Sequence, residues 1–168
     1  MNDKGNLTDK RPPFFPTLIG TGFGSGFWPW GPGTCGSVLA TAIWLVLSFL
    51  LPTDLILSCT TLVLAIVFTI AGTWATARLQ PYWGEDPSRV VVDEMVGVWI
   101  PLIAVRQGEY WWALAALILF RFFDIVKPLG IRILDRRSGA FYVMADDILG
   151  GIYSLICIVI VKALIHLI

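Results

Sequence analysis

The sequence predicts an all-α protein, a polytopic membrane helical bundle of about five apolar helices, some of them short or re-entrant, behind a glycine-rich N-terminal interfacial loop. Of the 168 residues, 57% are hydrophobic and 14% are charged, with a mean hydropathy of +0.77. Soluble domains have about 45–50% apolar and about 25% charged residues. Residues 55–77 are uncharged and long enough to cross about 30 Å of hydrocarbon as a helix. The formal net charge of zero gives no indication of a nucleic-acid partner.

The first 34 residues are predicted to lie outside the apolar helices. Residues 1–16 carry charges but no apolar h-region, which predicts a flexible, polar cytoplasmic tail rather than a signal peptide. Residues 17–34 contain six glycines together with Pro29 and Pro32, which predicts a loop or an interfacial hairpin rather than a helix. Residues 17–168 are therefore expected to form a single membrane-embedded domain.

Five apolar stretches follow, and each predicts one helical span. The stretches are residues 35–51, 55–77, 90–105, 110–126 and 148–168. Only three residues, beginning with the helix-ending Pro52, separate the first two stretches, so these are expected to form a tight helical hairpin. The first, third and fourth stretches are short, so their ends are expected to lie among the lipid headgroups or to turn back.

The distribution of lysine and arginine predicts the orientation of these spans. If the N-terminus is cytoplasmic, nine of these residues lie on the cytoplasmic side, and only Arg106 and Lys162 lie on the other. The nine are Lys4, Lys10, Arg11, Arg78, Arg89, Lys127, Arg132, Arg136 and Arg137. This asymmetry follows the positive-inside rule.

The same topology brings five carboxylates to the cytoplasmic ends of three helices. They are Asp93, Glu94, Asp124, Asp146 and Asp147. Such groups repel one another unless a cation lies among them or some are protonated. Because His166 is predicted at the opposite face, only oxygen ligands are available, and these suit Mg²⁺, Mn²⁺ or Ca²⁺ rather than zinc. All five are therefore candidate metal ligands and candidate catalytic residues.

Two of the acidic sites share the pattern acid-acid-x-x-Gly. They are Asp93-Glu94-Met95-Val96-Gly97 and Asp146-Asp147-Ile148-Leu149-Gly150. On a helix, Asp93 lies on the same face as Gly97, and Asp147 on the same face as Gly151. A missing side chain one turn from a carboxylate leaves room for an ion, but the same glycines also suit close helix packing. The sequence leaves both interpretations open.

Arg121, Asp124 and Lys127 are spaced at i, i+3 and i+6. One interpretation is an intrahelical ion network, because neighbours in this series face each other on a helix. The other assigns Asp124 to the metal and makes Arg121 and Lys127 substrate-binding residues, since guanidinium and ammonium groups bind phosphate oxygens.

The glycine-rich turn of residues 31–37 leads directly into the first span. Thr34 is predicted to cap that helix, and backbone N–H groups at a helix start bind anions. Thr34 and Ser37 are therefore further candidate substrate-binding residues. A simple surface loop with a helix cap remains the alternative.

Several phosphatase chemistries are excluded by absent motifs. No histidine is predicted at the acidic end, Cys35 has no arginine six positions later, and neither a D-x-D-x-T motif nor a P-loop is present. Attack by metal-activated water, with one carboxylate as general base, is the route that remains. A small transporter, a non-enzymatic membrane assembly factor and another lipid-headgroup enzyme that uses the same cations are the alternatives.

Four stretches together resemble the phosphatidylglycerophosphatase A family. They are Pro32-Gly33-Thr34-x-Gly36-Ser37, Asp93-Glu94-x-x-Gly97, Phe120-Arg121-x-x-Asp124-x-x-Lys127-Pro128 and Asp146-Asp147-x-x-x-Gly151. Each is weak alone, but their order and spacing match over nearly the whole chain. Gly130 and Gly150 depart from the family pattern without removing a candidate ligand.

This resemblance implies a multi-pass enzyme of bacterial phospholipid synthesis in the inner (cytoplasmic) membrane. Such an enzyme hydrolyses phosphatidylglycerophosphate, its membrane-lipid substrate, to phosphatidylglycerol and phosphate, and requires Mg²⁺. The topology adds the expectation that the active site faces the cytoplasm.

Overall fold

The computed structural model describes residues 11–128 and 130–167, apart from the side chain of His166. This part of the chain contains seven α-helices and no strand, so the all-α prediction is confirmed. The helices are α1 (Phe14–Gly20), α2 (Pro32–Leu50), α3 (Asp54–Trp83), α4 (Val92–Leu102), α5 (Tyr110–Val126), α6 (Ile131–Asp135) and α7 (Ala140–Leu167), with a 3₁₀ turn at Ser25–Phe27. The expected position of His166 and the first ten residues of the predicted tail lie outside the described residues.

Within residues 11–128 and 130–167, three helices, not the expected five, are long and apolar enough to cross a membrane: α2, α3 and residues Ala140–Ile165 of α7. Helix α4 has 11 residues and rises about 16 Å, roughly half of the hydrocarbon thickness. Nine of those 11 residues are buried in the bundle. A helix enclosed by other helices needs apolar side chains as much as a lipid-facing one does, which is why α4 resembles a span in sequence.

Helix α4 occupies the centre of the bundle, where α2, α3, α5 and α7 all contact it. The indole N–H of Trp99 donates to the carbonyl oxygen of Ala40 in α2 at 3.0 Å. Helices α4 and α7 cross where Gly97 meets Gly151, and a Cβ added at Gly151 would lie 2.4 Å from the carbonyl oxygen of Gly97. Only a residue without a side chain allows this approach.

The connections α2–α3 and α4–α5 meet at one end of the bundle. The backbone N–H of Gln107 donates to Asp54 at 2.9 Å, and its side-chain amide donates to the carbonyl oxygen of Leu51 at 2.7 Å. At the same end, Lys162 of α7 donates to the carbonyl oxygen of Ala104 at 2.9 Å and forms an ion pair with Glu109. These contacts hold the α4–α5 connection against the α2–α3 connection and against α7.

At the opposite end, the segment before α2 packs on the last turns of α3. The predicted tail boundary at residue 16 lies inside α1, and the predicted loop of residues 17–34 contains helical turns. Helix α1 forms here because Gly20 lies close against α3, where a Cβ would be 2.7 Å from the Leu79 side chain. The guanidinium of Arg89, 6.0 Å from the ring of Phe27, fastens the α3–α4 connection to this segment.

The exposed apolar surface of α3 is as long as the hydrocarbon layer of a bilayer is thick. Its large exposed apolar side chains extend from Leu55 to Trp74, a rise of about 28 Å that matches about 30 Å of hydrocarbon. Gly72 lies against Val92, beside Asp93 at the start of α4. The first turn of α4 therefore lies near one boundary of the apolar belt rather than at its middle.

Candidate active site

A cavity of about 390 Å³ opens above the N-terminal end of α4. Its walls come from the starts of α2 and α7, the ends of α5 and α6, and the α3–α4 connection. Its charged lining residues are Glu85, Asp86, Asp93, Glu94, Arg121, Asp124, Lys127, Asp135, Arg136, Arg137, Asp146 and Asp147. Seven of the nine predicted site residues are in this set, so residues from three helices converge.

Three carboxylates form a compact group inside the cavity. One oxygen each of Asp93, Glu94 and Asp147 lies within 4.8 Å of the other two. Asp93 and Asp147 are buried, and each lies one helical turn before a glycine of the α4–α7 crossing, Gly97 or Gly151. The glycines therefore serve close helix packing, and this packing places the two carboxylates side by side.

The charge of this trio (Asp93, Glu94 and Asp147) is not balanced inside it. The buried Oε2 atom of Glu94 has no hydrogen-bond partner in the described part of the chain. Burial raises the pKa of Asp93 well above its ordinary value, and the neighbouring Glu94 adds to this. Burial likewise raises the pKa of Glu94. An oxygen-only site with an unpartnered carboxylate oxygen fits a divalent cation, which would compensate this excess negative charge.

Arg121 and Asp124 extend the site from the trio toward α5. The Nη1 atom of Arg121 lies 2.6 Å from Oδ2 of Asp124, and the carboxyl group of Asp124 is within hydrogen-bond reach of Asp147. The Nε atom of Arg121 is buried, and among the described residues no hydrogen bond satisfies it. Arg121 is thus paired with Asp124 through Nη1 and keeps an unused Nε donor at the cavity wall, from which an anion can accept.

Gly33, in the first turn of α2, leaves the space between the acidic and basic parts of the site. A Cβ at this position would lie 2.1 Å from Oε1 of Glu94 and 3.1 Å from Nη1 of Arg121. Gly31 and Pro32 line the same wall. The glycines of this turn therefore allow the backbone of α2 to approach the charged side chains closely.

Asp146, which is not a member of the trio, is paired with Lys127. The chain takes a left-handed conformation at Lys127 (φ 49°) just after α5, and its ammonium group donates to Asp146 at 2.7 Å and to Asp135. Burial alone would lower the pKa of Lys127, but its hydrogen bonds to these two carboxylates raise it above its ordinary value. Lys127 is therefore fully protonated, and Asp146 has a cation partner of its own.

The two predicted substrate-binding residues of the first turn, Thr34 and Ser37, do not line the cavity. Thr34 is exposed, and the expected cap at Thr34 is wrong because α2 begins at Pro32, after Gly31 at the cap position. Proline is well suited to the first helical position, since it lacks the N–H that would be left unpaired. The hydroxyl of Ser37 is buried and donates to the carbonyl oxygen of Gly33 at 2.9 Å.

Several residues that line the cavity were not predicted as site residues from the sequence. The sequence interpretation counted them only as charges flanking a span, or did not consider them. They are Glu85 and Asp86 of the α3–α4 connection, Asp135, Arg136 and Arg137 at the end of α6, and Tyr142 of α7. The hydroxyl of Ser138 donates to the Glu85 carboxylate at 2.9 Å, which joins the two connections at the cavity mouth. The dense run of charges in residues 135–137 was the available signal.

Comparisons with known proteins identify the family that the four sequence stretches resemble. A family model described as phosphatidylglycerophosphatase A matches residues 18–162. Proteins named phosphatidylglycerophosphatase A from Haemophilus influenzae and Escherichia coli are 38% and 35% identical, over 84% and 82% of this chain and 85% and 77% of their own lengths. A Bacteroides thetaiotaomicron protein, provisionally named a phosphatidylinositol-3-phosphatase, is 57% identical over 91% of this chain and 97% of its own. No solved structure matches the chain.

Proposed function

Because this chain belongs to the phosphatidylglycerophosphatase A family, whose members hydrolyse a phosphate monoester, we propose that it is a Mg²⁺-dependent phosphatidylglycerophosphatase that releases phosphate by attack of water. Family membership makes the chain a phosphatase rather than a transporter or a non-enzymatic assembly factor. The observation that carries the mechanistic part is that the carboxylate trio and Arg121, with its unused Nε donor, line one cavity.

Asp93, Glu94 and Asp147 would hold the cation. They supply only oxygen ligands from two helices whose crossing is fixed by glycine contacts. When bound there, the cation supplies Lewis acidity toward the phosphate and toward water. Our proposal thus gives the metal three of the five carboxylates that the sequence suggested.

Arg121 would bind the phosphate oxygens. Its Nε donor is buried and unpaired in the described part of the chain, and a guanidinium can present two N–H donors to one phosphate. The adjoining wall is the first turn of α2, around Gly33, where backbone N–H groups favour an anion. Phosphate held there lies beside the trio, so the reacting group and the metal ligands share one space.

Asp124 and Asp146, which are outside the proposed metal shell, are the candidate general bases. Each has a cation partner, Arg121 at 2.6 Å or Lys127 at 2.7 Å, and each lies beside the trio. A carboxylate outside the metal shell can accept the proton of the attacking water. Lys127 orients Asp146 and compensates its charge.

Phosphate release from the purified protein in detergent micelles tests the function. We expect release from phosphatidylglycerophosphate with Mg²⁺, loss of release with a chelator, and recovery when Mg²⁺ is restored. Phosphatidylinositol 3-phosphate is assayed in parallel, because the 57% identical relative bears the name of a phosphatase for that lipid. No release from phosphatidylglycerophosphate would refute the proposed substrate, and release that persists with the chelator would refute the metal dependence.

We also propose a multi-pass protein of the bacterial inner membrane, with the cavity on the cytoplasmic side. The three apolar helices are compatible with a membrane protein. The exposed arginines Arg78, Arg89 and Arg136 lie toward the cavity end, whereas Arg106 lies at the other end, in agreement with the positive-inside rule. Reporter fusions at both termini test this orientation, since three spans place the termini on opposite sides.

Replacing Arg121 with lysine is expected to lower kcat/KM by about 10- to 100-fold, because an ammonium group cannot make the two-pronged contact of a guanidinium. Steady-state kinetics with phosphatidylglycerophosphate in mixed micelles measure this effect. Arg106→Lys, at the opposite end of the bundle, is the matched control and is expected to behave as the original protein does. Unchanged kinetics in Arg121→Lys would remove Arg121 from phosphate binding.

Replacing Lys162 with alanine is expected to lower stability but to leave phosphate release nearly unchanged. Burial alone would raise the pKa of Glu109, yet the hydrogen bond from Lys162 lowers it below its ordinary value. Loss of hydrogen bonds from this ammonium group costs about 1.5–3 kcal/mol, which thermal unfolding in detergent detects. A large loss of turnover in a folded Lys162→Ala protein would show that this end of the bundle also takes part in the reaction.

A further inference from the structure

Two of the four cations that line the cavity have no acidic partner. Arg121 and Lys127 are engaged by Asp124 and Asp146. Arg136 and Arg137 also line the cavity, but neither forms an ion pair in the parts of the chain that the structure covers. Their positive charge therefore remains available to a ligand that enters.

These two arginines lie at the cavity mouth, before the start of α7, whereas the trio member Asp147 lies further along α7. They follow α6 and precede Gly139, just before α7 begins at Ala140. Asp147 lies seven residues further along α7, which corresponds to a rise of about 10 Å. An arginine side chain spans much of that distance, so the mouth and the trio can hold two phosphate groups of one small headgroup.

Contacts at the cavity mouth hold the connection between α6 and α7 over the cavity. The guanidinium of Arg137 lies 5.4 Å from the ring centroid of Tyr142, and its Nη1 atom is 3.4 Å from the phenolic oxygen. The hydroxyl of Ser138 donates to Glu85 on the opposite connection at 2.9 Å. Arg136 is exposed, lines the cavity and forms no ion pair in the covered parts of the chain. One cation is thus fixed on the cavity wall, and the other is free to move toward a ligand.

We propose that Arg136 and Arg137 bind the phosphodiester of the lipid substrate while its terminal phosphate monoester occupies the inner site. This inference rests on the proposed function and adds a determinant of specificity to it. Both lipids named among the relatives, phosphatidylglycerophosphate and phosphatidylinositol 3-phosphate, carry a monoester and a phosphodiester on one small polyol. The mouth arginines would favour that class over lipids that carry a monoester alone.

Competitive inhibition separates the two phosphate positions. A short-chain phosphatidylglycerol carries only the diester, and inorganic phosphate resembles only the monoester. In the double variant Arg136→Gln/Arg137→Gln, we expect the KM for phosphatidylglycerophosphate and the inhibition constant of phosphatidylglycerol each to rise about ten-fold or more, as loss of a charge-assisted contact implies. The inhibition constant of inorganic phosphate should stay the same.

Two further variants complete the experiment. Arg136→Lys/Arg137→Lys keeps both charges and should restore most of the affinity for phosphatidylglycerol. Arg78→Gln removes an exposed arginine of α3 that does not line the cavity, and it should change neither inhibition constant.

The outcomes distinguish this inference from the proposed function. Equal weakening of both inhibitors, or no weakening of phosphatidylglycerol, would overturn the diester site while the phosphatase activity stands. An original protein that releases no phosphate from phosphatidylglycerophosphate would overturn the proposed function and this inference with it.

Discussion

Replacing Asp147 with asparagine is expected to reduce phosphate release by at least about 100-fold, because loss of even an outer-shell partner of a metal ligand costs 10–100-fold. The substitution keeps the size of the side chain but removes one of the three charges that face the proposed cation. Asp147 is 4% exposed, so solvent cannot replace the lost ligand. Phosphate release and calorimetric Mg²⁺ titration of the same detergent-purified protein measure the two consequences.

Asp54→Asn is the matched control for this experiment. Asp54 lies at the opposite end of the bundle, where its carboxylate accepts from the backbone N–H of Gln107 at 2.9 Å. Asparagine retains that acceptor, so both turnover and Mg²⁺ binding should persist. If Asp147→Asn retained both properties as well, the trio would not be the metal site.

Replacing Gly151 with alanine is expected to abolish turnover, whereas Gly150→Ala should be tolerated. A Cβ at Gly151 would lie 2.4 Å from the backbone oxygen of Gly97, so α4 and α7 must move apart. A displacement of about 1 Å at a catalytic site can cost about 100-fold in rate. The same overpacking is expected to reduce stability by about 1–3 kcal/mol.

Gly150, the neighbouring glycine, provides the matched control for Gly151→Ala. A Cβ at Gly150 would come no closer than 3.7 Å to another residue, the Phe123 side chain. Both positions lie on α7 and both changes add one methyl group, so any difference reports the helix crossing. Turnover and thermal unfolding are measured for both variants. Equal activity of the two would show that the α4–α7 contact does not position Asp93 and Asp147.

The span count shows one limit of sequence interpretation. Residues 90–105 satisfy the local signal for a span, yet α4 covers only Val92–Leu102 and lies inside the bundle. Hydropathy measures whether side chains avoid water, and both lipid and a protein interior meet that condition. Only the contacts of α4 with its neighbours distinguish the two.

The division of the five carboxylates shows a second limit. Their presence at one end followed from topology, but the sequence could not separate the trio from Asp124 and Asp146. That separation depends on the left-handed backbone at Lys127, whose ammonium group turns to Asp146, and on Arg121 facing Asp124. Thr34 and Ser37 failed as cavity residues because helix α2 begins earlier than their pattern suggested.

The sequence by itself determined the apolar composition, the helical class and the residue types that line the cavity, since these follow from composition and from spacing along a helix. Tertiary structure decided which acids form the trio, which helix is enclosed, and that Arg136 and Arg137 line the cavity. These features depend on distances between segments far apart in the chain. A crossing such as that of Gly97 and Gly151 fixes those distances, and no local pattern encodes them.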